Sequence, residues 1–142
     1  MDVNFIIDRL VAQTIAGIKS IGGSADLDAA LAGAVTTPSV FIVPLTETGA
    51  RSSMLSVTMQ RQTAEYGVIT VVANRRDVTG KASLAELTPI RAAIKAALIG
   101  WVPDTATGEA MQFTSGRLLR FDDGRVWWTD QFSFSSYYQA SA

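Results

Sequence analysis

A chain of 142 residues, 48% hydrophobic and 18% charged, is long enough to bury one sizeable core and too apolar to stay unfolded, so a single domain over residues 1–142 is expected. A net charge of −1 gives no basic field for a nucleic-acid backbone. The absence of cysteine and histidine excludes disulfides, zinc sites of the usual ligand set, and Ser-His-Asp or Cys-His catalysis.

The opening MDVNFIIDRL carries Asp2 and Asp8 where a secretory leader is basic, and no apolar run approaches the roughly 20 residues of a membrane span. A protein made and kept in a cytoplasm is expected. From Asp2 to Ile18, the residues Val3, Ile6, Ile7, Leu10, Val11 and Ile15 recur at helical spacing, and Gly22-Gly23 closes the segment, which predicts an amphipathic helix. Ser24 and Asp26 offer N-caps for a short helix over Leu27–Leu31, and Thr36-Thr37-Pro38 breaks the chain after it.

Val40–Leu45 is a β-branched apolar run of strand length, with Pro44 at an edge or bulge because proline cannot donate to a ladder. Thr46–Ser53 reads as a loop, and Leu55–Ala73 as one long, bulged strand pairing back on the first. Ser83 and Glu86 have capping-box spacing ahead of Leu84, Leu87, Ile90, Ile94 and Leu98, predicting a second long helix that ends at Gly100. Pro89 either kinks that helix or stands at its first position after a Thr88 cap. Residues 113–134 form a hairpin with Asp123-Gly124 as its turn, and SSYYQASA is a tail, frayed or laid along a neighbouring subunit. The expected fold is α+β, a mainly antiparallel sheet of about four strands with two long helices packed on one face.

Reacting groups are not assembled by any spacing in the chain. Gly80-Lys81 lacks both ends of a phosphate loop, and helix capping explains Asp26 and Asp28 as a turn explains Asp122 and Asp123. Neither G-x-S-x-G nor a dinucleotide fingerprint occurs, so no enzyme activity, cofactor or metal is expected.

Counting outward from the turn sets the hairpin register. One face pairs Asp122 with Arg125, Arg120 with Trp127 and Leu118 with Thr129; the other pairs Phe121 with Val126, Leu119 with Trp128, Arg117 with Asp130 and Phe113 with Phe134. Leu119, Phe121, Val126, Trp128, Phe132 and Phe134 are therefore the expected core, with an Arg117–Asp130 charge pair at its rim. Trp127 falls on the outer face beside Arg120, within reach of a cation–π contact, as a subunit or partner contact.

The stretches FIIDRLVAQTIAGIKSIGGSADLDAAL, PSVFIVPL, QRQTAEYGVITVVANRRD, LTPIRAAIKAALIGW and GRLLRFDDGRVWWTDQF, in this order, resemble the tail terminator family of tailed bacteriophages and their prophages. The resemblance implies a virion protein, assembled in the host cytoplasm, that forms a ring, usually hexameric, on the head-proximal end of the tail tube. Such a ring stops tube polymerisation, meets a head-completion or connector protein, and leaves a passage for genome DNA without sequence-specific binding. Arg51, Arg75, Arg76, Arg120, Trp127, Tyr137 and Tyr138 are the candidate subunit or partner contacts. Two alternatives stand beside this reading: a neighbouring neck or head-completion protein, and a small-ligand or enzymatic α+β domain using carboxylates with Arg117 or Arg120 in a pocket.

Overall fold

The computed structural model describes residues 2–33, 35–51, 57–73, 81–122 and 124–141, and its first helix is shorter than the apolar periodicity. Helix α1 covers Asn4–Ala12 and buries Ile6 and Leu10. Thr14 takes φ 49° and Gly17 φ 88°, left-handed conformations through which a helix does not continue. Ile15 and Ile18 still pack against the core, but from a loop.

That loop leads into a strand the sequence does not signal. Strand β1, Ser20–Gly22, runs parallel to the start of β2, Ser39–Gly49, with Ser20 opposite Ser39 and Gly22 opposite Phe41. Helix α2, Ser24–Leu31, makes the crossover. Its N-cap is Gly23, whose N–H donates to Asp26 Oδ2 at 2.9 Å, so Ser24 and Asp26 lie inside the first turn and not at the cap.

Strand β2 absorbs the first half of the expected loop. Thr46–Gly49 pair with Glu65–Gln62 of β3, Val57–Ala73, and the bulge falls in β2 at Leu45 instead of in the longer strand. Helix α3, Lys81–Leu98, buries Leu87, Ile90, Ile94 and Leu98. Ser83 lies within it, so the Ser83–Glu86 spacing does not mark its start, and Pro89 is an interior residue. One residue before Pro89, Thr88 Oγ1 donates back to the Leu84 carbonyl at 2.8 Å.

Strands β4, Gln112–Asp122, and β5, Arg125–Ser141, form the hairpin, with Gly124 at φ 75°. The C-terminal stretch is no frayed tail: β5 pairs with β3 as far as Ser141 opposite Val57. The sheet has five strands in the order β1-β2-β3-β5-β4, and it is mixed because β1 and β2 are parallel.

Helices cover both faces, which corrects the one-face expectation. On one face α1 and α3 enclose Val40, Ile42, Val68, Val72, Val126 and Phe132, with Phe5, Tyr66 and Phe134 in mutual ring contact beside them. On the other face α2 brings Ala30 and Leu27 over Phe41, Ile69, Val71 and Trp127. Alternate residues of β2, β3 and β5 thus serve two separate cores.

Candidate functional site

The hairpin register matches the outward count for three pairs and then slips. Asp122 faces Arg125, Phe121 faces Val126 and Arg120 faces Trp127, but Leu119 is extruded as a bulge, so Leu118 faces Trp128 and Gly116 faces Asp130. A second bulge at Thr114 brings Phe113 opposite Phe132 instead of Phe134.

This slip changes the partner of Asp130. Arg117 lies opposite Thr129, and the fully buried Asp130 carboxylate is held by Arg91 of α3, with Nη2 at 2.7 Å from Oδ1 and Nε at 3.0 Å from Oδ2. The expected Arg117–Asp130 pair is therefore replaced by a bidentate pair across the helix–sheet interface. Trp128 Nε1 donates to the same Oδ1 at 3.0 Å, and the Arg91 guanidinium lies 4.4 Å from the Trp128 ring centroid. Charge, hydrogen bonds and ring stacking converge on one carboxylate.

Gly116 makes room for this cluster. A Cβ there would sit 2.6 Å from Asp130 Oδ1 and 2.9 Å from Arg91 Nη2. Gly116→Ala is expected to cost about 1–3 kcal/mol of stability by displacing the ion pair, read as a lowered urea midpoint at unchanged slope.

Trp127 is not an exposed contact residue. It is 2% exposed, packed in the second core under α2, although Arg120 does lie over its ring at 5.9 Å. Two expected core residues are corrected the other way, Leu119 at 42% and Phe121 at 52% exposure. Leu119 is the extra residue of the bulge, and Phe121 lies on the outermost strand beside the turn. Val126 and Phe132 are buried, while Trp128 and Phe134 are half-buried against the main core.

Of the remaining candidates, Arg51 and Arg120 are exposed, and Arg75 and Arg76 lie outside the described residues. Tyr137 and Tyr138 are exposed on the outer half of β5, opposite Arg61 and Gln60 of β3. Nearby, Arg61 pairs with Glu109 at 2.8 Å on the surface. In the loop before β4, hydrogen bonds from Thr107 and the Ala106 N–H hold the Asp104 carboxyl below its ordinary range.

Sequence reasoning missed Arg91 and the exposure of Leu119. The signal for the first was Gly116, since glycine inside a strand marks close approach of another group.

Two grooves bear on the ligand-binding alternative. One of about 510 Å³ lies between the α1–β1 loop and α3, lined by Ile15, Lys19, Pro38, Glu86, Pro89 and Ile90 among others, and neither Arg117 nor Arg120 reaches it. A smaller one of about 180 Å³ is lined by Leu27, Leu31, Ile69, Leu119, Arg120 and Trp127, and contains no carboxylate. Among the described residues no three acidic side chains gather into a metal site, and no helix is long and apolar enough to cross a membrane.

Comparison with known proteins places this geometry in a class. The phage tail terminator protein family profile matches residues 1–140, which makes the chain a structural protein of the phage tail. The chain belongs to the phage tail terminator family. A solved structure described as the virion of a native gene transfer agent particle contains a chain of similar fold, with a TM-score of 0.52 and 14% identity over 93% of this chain and 94% of that one. No curated protein sequence matches.

Proposed function

We propose that this chain folds as one domain and forms a ring, hexameric as in the family it resembles, that caps the head-proximal end of the tail tube. The ring stops addition of tube protein and offers its opposite side to a head-completion or connector protein, with assembly in the host bacterial cytoplasm. The match of the family profile over residues 1–140 is the observation that carries this reading. The similarity in fold to a chain of a gene transfer agent virion is consistent with a place in such a particle.

No reaction is assigned to the chain: among the described residues the one buried charge, Asp130, is satisfied by Arg91, and this bidentate pair packed against Trp128 reads as architecture. For partner contacts the surface offers Arg51, Arg120, Tyr137 and Tyr138. The two tyrosines project from a part of the sheet where β2, β3 and β5 extend together and side chains are largely exposed, a surface suited to meeting another protein.

Tube length is the test. In a phage-producing cell lacking this chain, tubes are expected to grow overlong and heads to remain unjoined. A neck or head-completion protein would leave tube length unchanged when lost, and normal tubes would overturn the terminator reading.

A further inference from the structure

The two lateral edges of the sheet resemble each other in construction and oppose each other in charge. On one side β1 pairs only with Ser39–Phe41, which leaves the outer side of β2 beyond Phe41 as a sheet edge among the described residues; on the other side the edge is β4. Both edges are interrupted. Pro44 has no N–H to donate and Leu45 is bulged, while β4 is bulged at Thr114 and Leu119. Such edges resist extension by a backbone ladder, so side chains are what they offer to a neighbour.

The extra residue at the β2 bulge is Leu45 and that at the β4 bulge nearer the turn is Leu119, each 42% exposed. Both lie on the α2 face. A Cβ on Gly67 would sit 3.6 Å from Leu45 Cδ1 on that face, and Leu119 borders the groove of about 180 Å³ floored by Ile69 and Trp127. Glu65, opposite Thr46 on β3, stands beside Leu45 on this face, whereas Arg117 and Arg120 flank Leu119; Glu47, opposite Ala64, lies on the other face. An apolar bulge beside an acid on one side thus corresponds to an apolar bulge with arginines and a groove on the other.

We propose that copies of this chain meet head to tail along their sheet edges, with Leu45 of one copy seated in the groove beside Leu119 of the next and Glu65 facing Arg117 and Arg120. Because the two surfaces differ, the contact is heterologous and propagates until rotation closes it, which is how a ring forms, whereas an isologous contact stops at a dimer. The inference rests on the ring reading above and specifies its interface.

The absence of cysteine from the chain makes disulfide trapping specific. Leu45→Cys and Leu119→Cys are prepared separately and oxidised alone and as an equal mixture. Within one copy the two positions are three strand spacings apart, about 14 Å laterally, and about five residues, roughly 16 Å, apart along the strands, too far for a disulfide. The expected result is no cross-link in either single variant, covalent dimers in the mixture, and a ladder ending in a closed ring for the double variant. Self-cross-linking of a single variant, or no cross-link in the mixture while wild-type protein assembles by native mass spectrometry, would overturn the edge assignment and leave the ring reading standing. Wild-type protein that stays a single copy, both alone and on tail tubes, would overturn both. As an independent reading, Arg117→Glu with Arg120→Glu should weaken self-association at least tenfold, and adding Glu65→Arg to the same chain should recover part of it. No recovery, with the fold intact by circular dichroism, counts against the proposal.

Discussion

Arg91→Ala is expected to lower the free energy of unfolding by about 3–5 kcal/mol, because it strips the main partner from a fully buried carboxylate. Asp130 has no exposure to water and, among the described residues, would keep the Trp128 Nε1 donor at 3.0 Å. The two partners are not equivalent. The Arg91 side chain retains 23% exposure, so Asp130→Asn leaves a guanidinium that can turn toward water, and it should cost less than Arg91→Ala. The double variant Arg91→Ala/Asp130→Asn should recover part of the loss, since it removes the unpaired charge. Urea unfolding of the four proteins gives the coupling energy, and a value near zero would contradict the buried-pair assignment.

Trp127→Ala is expected to cost about 3–5 kcal/mol, the usual range for truncating a buried aromatic. Trp127 is 2% exposed and is the largest side chain in the core shared by Ala30, Phe41, Ile69 and Val71. Its loss should loosen α2 from the sheet, read as faster amide exchange in Ser24–Leu31 than in α3. An unchanged urea midpoint with impaired assembly would instead support Trp127 as a contact residue.

The two tryptophans show how far strand alternation reaches. It correctly separates Trp127 and Trp128 onto opposite faces, yet it cannot say which faces are covered. That information was present elsewhere: Val40–Val43 is a continuous apolar run and Val68–Val72 is interrupted by Thr70 alone, as expected of strands buried on both sides. Read together with Trp127, they imply a second core and therefore a cover, which α2 supplies.

Other features leave weaker traces. Strand β1 is only three residues long and contains a glycine, so its existence depends on β2 offering a parallel partner. The Asp123-Gly124 signal fixes the register only as far as Arg120, because a bulge adds a residue without a local rule to announce it. Pairing of β5 with β3 orders the polar C-terminal stretch through backbone hydrogen bonds, to which side-chain patterning is blind. Helix α3 was legible from Leu87, Ile90, Ile94 and Leu98, and its start was not, because Pro89 and the Ser83–Glu86 pair suggested competing boundaries. As for the candidate site, Arg120 was legible as a residue facing Trp127, while the apolar edge around it depends on the bulge that exposes Leu119.

Electron microscopy of tail-tube subunits polymerised with and without the purified chain tests the central claim most directly. Rings at one end of shortened tubes, with unlimited growth when the chain is omitted, are the predicted result. Tubes of the same length distribution with no added density at either end would contradict it.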